Sequence, residues 1–86
     1  MSGYITQGVQ IEGSVTNSVL FTGAVVGAGA KVVDSVIMPG AVIEEGATVT
    51  RALVAENVRI GKKAKVGQKN SENIVLVASN VKGGNK

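Results

Sequence analysis

A chain of 86 residues is one domain at most, and it lies near the lower size at which an ordinary globular core sustains itself. Its hydrophobic content is 44% but its aromatics are only Tyr4 and Phe21, so any interior is filled by Val, Ile, Leu and Ala. The net charge is +3, and the absence of Cys and His excludes disulfides, thiolate or three-histidine zinc sites and a histidine general base.

The first residues, Met1-Ser2-Gly3-Tyr4, lack the charged and apolar regions of a secretory signal. No apolar run approaches ~18 residues, so no membrane span is expected and the chain is expected in the cytoplasm. Residues 1–14 read as strand-like and part of the stack, with Gly3 to Gly8 as its entry. Two registers then compete: Val9 lies 17 residues before Val26, whereas Gly8-Val9-Gln10-Ile11-Glu12 looks like Gly40-Ala41-Val42-Ile43-Glu44, which requires a first coil two residues short.

From Val15 onward the sequence overlays on itself at an offset of 17 residues. Val15, Val32, Val49 and Val66 share a column; Leu20, Ile37 and Val54 share a second; Val26, Ile43, Ile60 and Val77 a third; Ala30, Ala47, Ala64 and Val81 a fourth. Each period divides into steps of about six residues that open on a branched aliphatic and carry a small or aliphatic residue four further on (Ala30, Val36, Ala41, Ala47, Leu53, Val58), a hexapeptide pattern. Three short strands per coil then form a triangular prism with the aliphatics inside. Gly23, Gly40 and Asn57, and likewise Gly29 and Gly46, fall where the chain must take positive φ to turn. A helix is excluded because Gly recurs in every period and no stretch keeps an i, i+3, i+4, i+7 face. Strands are expected at 14–15, 19–21, 25–26, 31–32, 36–38, 42–43, 48–49, 53–55, 59–60 and 65–66. The repeat core therefore spans 9–66, followed by a loop at 67–73, a last partial coil at 74–82 and a tail at 83–86. Four to five coils at the ~4.8 Å strand spacing give a prism on the order of 20–25 Å long. Its ends present unpaired strands, so self-association by faces or ends is expected.

Charge is unevenly placed. Residues 1–58 hold Lys31 and Arg51 against Glu12, Asp34, Glu44, Glu45 and Glu56; residues 59–86 hold Arg59, Lys62, Lys63, Lys65, Lys69, Lys82 and Lys86 against Glu72. The basic end is either a solvated surface or a contact for an anion. Without interleaved aromatics it is a poor nucleic-acid interface, and no nucleic acid is expected as partner. Gly27-Ala28-Gly29 reads as a turn and not as a phosphate loop, because Val32 and a strand follow it.

Two segments carry a more specific likeness: Ile11-Glu12-Gly13-Ser14-Val15-Thr16-Asn17-Ser18-Val19-Leu20-Phe21, and Val25 to Gly40 with its Asp34-Ser35-Val36-Ile37-Met38. Over residues 3–82 the chain resembles the C-terminal domain of bacterial glucose-1-phosphate adenylyltransferase (ADP-glucose pyrophosphorylase). That resemblance implies an all-β fold, a single-stranded left-handed parallel β-helix of about 4–5 coils. It also implies a fragment of a longer enzyme whose N-terminal domain, absent here, binds ATP and Mg²⁺ and makes ADP-glucose from glucose 1-phosphate for glycogen biosynthesis. The fragment itself is then expected to be non-catalytic and to hold no cofactor or metal. The implied partners are the catalytic domain, further copies or a paralogous subunit in a tetramer, and an anionic phosphorylated effector. Arg59, Lys62, Lys63, Lys65 and Lys69 are the candidate effector residues. The alternative is the β-helix domain of another sugar nucleotidyltransferase, or a degenerate acyltransferase-like structural subunit.

Overall fold

The computed structural model describes residues 3–5, 8–67 and 74–83, and within them every regular element is a short strand. The first coil holds β1 (Gly3–Ile5), β2 (Gln10–Ile11) and β3 (Ser14–Thr16); the second, β4 (Ser18–Leu20), β5 (Val25–Val26) and β6 (Lys31–Val33). The third holds β7 (Val36–Ile37), β8 (Val42–Ile43) and β9 (Thr48–Thr50); the fourth, β10 (Ala52–Val54), β11 (Arg59–Ile60) and β12 (Lys65–Val66). A fifth coil opens with β13 (Val75–Val77). Strands pair in parallel with those one coil away, giving three sheets: β1-β4-β7-β10-β13, β2-β5-β8-β11 and β3-β6-β9-β12. The molecule is a parallel β-solenoid. No helix among the described residues is long and apolar enough to cross a membrane.

The interior follows the columns of the sequence. Val15, Val32, Val49 and Val66 stack through β3, β6, β9 and β12; Leu20, Ile37 and Val54 through β4, β7 and β10; Val26, Ile43 and Ile60 through β5, β8 and β11. All are buried, with Ala24, Ala30, Ala41, Ala47, Ala52 and Ala64 beside them where the coil narrows. Branched side chains suit these positions because they are stiff at χ1 and fill a pleated surface without much loss of rotamer freedom.

The three corners of the prism use two devices. At the corner after the first sheet, Ala24 N–H donates to Phe21 O at 3.1 Å, Ala41 N–H to Met38 O at 3.2 Å and Val58 N–H to Ala55 O at 3.3 Å, closing four-residue turns. Their third residues, Gly23, Gly40 and Asn57, have φ of 79°, 75° and 60°, as a type II turn requires, and Pro39 supplies the favoured second residue. The corner after the second sheet repeats this with Gly29, Gly46 and Lys63, so the sequence-expected glycine columns hold and Lys63 extends one of them. The third corner is a single residue in left-handed conformation: Asn17, Asp34 and Arg51, at φ of 46°, 50° and 48°.

That tighter corner changes the repeat. From Val32 to Ile37 and from Val49 to Val54 the interior step is five residues and not six, which is how the period reaches 17. The small buried position there belongs to Ser18, Ser35 and Ala52, whereas Val36 and Leu53, expected to be the small inward residues, are half-buried on the outer face. The strands of this sheet accordingly begin near residues 18 and 52, one residue before their expected starts. Ser18 Oγ donates to Thr16 O at 2.8 Å and accepts from Ser35 N–H at 3.0 Å; Ser35 Oγ donates to Val33 O at 2.8 Å and accepts from Ala52 N–H at 3.1 Å. The two hydroxyls thus link three successive coils inside the wall, and each meets the requirement that buried polar groups be paired.

Both ends depart from the period. Gln10 pairs with Val25 and Ile11 with Val26, an offset of 15, so the short first coil is the register adopted, and Gly3–Ile5, at the entry to the stack, is a strand paired with β4, as expected of a strand-like first segment. The two missing residues come out of the corner between β2 and β3. A Cβ on Gly13 would lie 2.7 Å from Gly27 O and collide with Ala30 O, so only glycine lets the shortened corner cross so close to the next coil. At the other end, Val77 pairs with Val54 and Val81 with Ile60. The expected return of these two valines to the columns of Ile60 and Ala64 is therefore wrong by one step, because the segment after Val66 carries six residues beyond the period. The last corner is two residues short, and Asn80 Oδ1 accepts Arg59 N–H at 2.8 Å where the coils below use a backbone carbonyl. The loop expected at 67–73 and the tail at 83–86 lie, but for Gly67 and Gly83, outside the described residues.

Candidate functional site

The corner joining β11 to β12 is the turn Gly61 to Ala64, closed by Ala64 N–H on Gly61 O at 3.1 Å. Lys62 and Lys63 occupy its middle and are exposed, Lys63 in left-handed conformation at φ 60°. The alternation of strands places Arg59 on the outer face of β11 and Lys65 on the outer face of β12, so the four cations straddle one corner of the fourth coil. Lys31 stands in the same outward column as Lys65, two coils below with Thr48 between. Lys69, the fifth candidate, lies outside the described residues.

The structure modifies this set in two ways. Arg59 Nε lies 3.2 Å from Glu44 Oε2, one coil below, so the only planar fork in the group is engaged by a carboxylate; at 63% side-chain exposure the pair orients Arg59 more than it stabilises the fold. Sequence reasoning also left out Lys82. Val81 N–H donates to Arg59 O at 2.9 Å and Gly61 N–H to Val81 O at 2.8 Å, so the chain's last described stretch crosses directly over the corner. Gly61 has no room for a side chain beneath it, since a Cβ there would collide with Gly83 N. Lys82, exposed, thereby joins Lys62 and Lys63 at the rim. The missing signal was register: 82 reaches 61 only once the long excursion after Val66 is counted.

The chemistry this arrangement offers is electrostatic attraction. The surface is convex and encloses no cavity among the described residues. Among them, no three His, Cys, Asp or Glu side chains converge as metal ligands, and Lys62, Lys63, Lys65 and Lys82 are exposed to solvent. Exposed ammonium groups of one sign raise the local concentration of an anion and weaken with salt.

No curated protein and no solved structure matches the chain. A family model described as GlmU-like, C-terminal hexapeptide, matches residues 1–82. With the solenoid of hexapeptide steps that its residues form, the chain belongs to the GlmU-like C-terminal hexapeptide family.

Proposed function

We propose that this chain is the non-catalytic hexapeptide domain of a sugar nucleotidyltransferase of the glucose-1-phosphate adenylyltransferase kind, an enzyme that makes ADP-glucose from ATP and glucose 1-phosphate for glycogen biosynthesis. The observation that carries the reading is the family match over residues 1–82 in a chain with no histidine to run acyl transfer. The ADP-glucose assignment rests on the likeness of the Asn17-Ser18-Val19-Leu20 and Asp34-Ser35-Val36-Ile37 segments, whose serines bind the coils together. ATP and magnesium belong to the catalytic domain of such an enzyme. The domain's part is to join subunits and to present Lys62, Lys63, Lys65 and Lys82 to a phosphorylated effector.

The test uses the full-length polypeptide that carries this domain. It should form ADP-glucose, and Lys62→Ala, Lys63→Ala and Lys65→Ala made singly should raise the effector concentration for half-activation severalfold in at least one case. The isolated chain should turn over neither ATP with glucose 1-phosphate nor acetyl-coenzyme A. The match to a GlmU-like family favours, as a second reading, a different sugar nucleotidyltransferase. Synthesis of another nucleotide sugar by the full-length protein selects it.

A further inference from the structure

The last coil is the least rooted part of the stack. The second, third and fourth coils each seal three branched aliphatics in the interior, whereas the segment 74–83 seals only Val77 and leaves Ile74 at 61%, Val75 at 40% and Leu76 at 67% exposure. Its ties to the fourth coil run through β13 and the bridge of Val81 to Ile60, with Asn80 Oδ1 accepting Arg59 N–H at 2.8 Å between them. Docking this coil also brings charge onto like charge. Because Val81 pairs with Ile60, Lys82 comes over Gly61, and a Cβ on Gly83 would lie 2.7 Å from Lys62 O. A third ammonium group thus joins those of Lys62 and Lys63, with Lys65 on the strand that follows. The carboxylates of this corner belong to lower coils: Glu12, Glu44 paired with Arg59, and Glu45 in the column of Lys62. Like charges gathered at a surface oppose docking, most strongly at low salt. Lys63 takes φ 60° where the same corner uses Gly29 and Gly46 in the coils below, a strained choice that keeps a cation at the crossing.

We infer that the last coil and the corner beneath it form one site for a multivalent phosphate anion, and that binding the anion and docking the coil are a single linked equilibrium. An anion held between Lys82 on the fifth coil and Lys62 and Lys63 on the fourth replaces repulsion by attraction to both sides. It therefore binds the docked chain more tightly than the undocked one, and the docked chain is stabilised in proportion. Linkage makes the relation reciprocal: whatever fixes the coil down strengthens anion binding, up to the inverse of the fraction docked without it.

The inference rests on the reading of this corner as a phosphate contact and adds how the contact is regulated. Lys82 reaches it only through the register of the last coil, so any event that lifts the segment 74–83 removes one wall of the site. The kind of sugar nucleotide made by the whole polypeptide does not enter.

A lock tests it. Leu53 and Leu76 lie in register on neighbouring parallel strands of the first sheet, across the prism from the lysines. Because the chain has no cysteine, Leu53→Cys with Leu76→Cys sets its only two thiols on strands about 4.8 Å apart, a separation a disulfide spans, and oxidation fixes the last coil down. Calorimetric titration with inorganic pyrophosphate at low salt should give severalfold tighter binding to the oxidised than to the reduced form. Asn80→Ala frees the Arg59 N–H and touches no lysine. It should weaken pyrophosphate binding severalfold in the unlocked chain and have no effect once the lock is closed. Adding Lys82→Ala should weaken binding and abolish the advantage of the lock. If the cysteine pair disturbs the stack, proteolysis of the parent chain gives the same answer: thermolysin cleavage beside the exposed Leu76 should slow severalfold with pyrophosphate, and not in Lys82→Ala. Equal affinity of the oxidised and reduced forms, an Asn80→Ala effect that survives the lock, or cleavage indifferent to pyrophosphate would each overturn the linkage while leaving the phosphate contact standing. No binding of pyrophosphate to either form would overturn both.

Discussion

Ser18 and Ser35 show how much a single hydroxyl carries when it lies in a wall shared by neighbouring coils. Each donates to the carbonyl two residues behind it and accepts an N–H from the coil ahead, so removing one orphans a buried backbone donor. Ser35→Ala should cost about 1–3 kcal/mol by leaving the Ala52 N–H unpaired, a range set by the desolvation of one polar group. Chemical denaturation of the variant against the parent measures it, and Ser35→Thr, which keeps the oxygen, should lose less. A loss for alanine below a few tenths of a kcal/mol would mean that water reaches that N–H. Lys63 is strained in the opposite sense: it holds the left-handed turn position that glycine fills at residues 29 and 46, where a Cβ costs about 1–2 kcal/mol.

At the scale of the strand and its corner, the interior columns were plain in the sequence because a side chain sealed between coils has almost no alternative to Val, Ile or Leu. Ile43, with Val26 on one side and Ile60 on the other, is wholly buried. Ile43→Ala should lower unfolding free energy by about 2–5 kcal/mol, read from the denaturation midpoint at unchanged slope. The corner glycines were legible for an equally simple reason, since positive φ admits few residues. What the sequence hid were the positions where that rule is broken. Arg51 and Lys63 take left-handed conformation with nothing in their side chains to announce it, and Asn17 and Asp34 fell between expected strands without being read as a corner. Val36 and Leu53 look like interior residues in one dimension, and only the five-residue step turns them outward. The register after Val66 escaped because periodicity cannot count an insertion. The same insertion hid Lys82 from the basic corner, while Lys62, Lys63 and Lys65 were found from charge clustering alone.

For the whole molecule, the solenoid gives each coil only its neighbours to rest on, so its stability is a chain of similar contacts ended at both sides. The basic corner and the last short coil occupy the same end, and loss of that coil would uncover Gly61 and scatter Lys82 from Lys62. The direction of the ladder adds something further. Just past the strands the N–H donates toward the following coil, Phe21 to Ile37 O, Met38 to Val54 O, Ala55 to Val77 O and Gly61 to Val81 O, whereas corner amides such as Asp34, Gly40 and Arg51 donate back to the coil before. The resistance of these forward-donating amides to exchange with deuterium therefore reports whether the next coil, and not their own, is in place. Ala55, Arg59 and Gly61 should trade their protons together and early, as the segment 75–81 lifts away while β10 and β11 remain folded. Met38, Val42 and Glu44 should follow only when the fourth coil leaves, and Phe21 and Val25 later still. Isotope labelling thus reads the molecule as a clock of peeling, one coil ahead of each probe, and equal protection across Ala55, Met38 and Phe21 would show instead that the stack opens all at once.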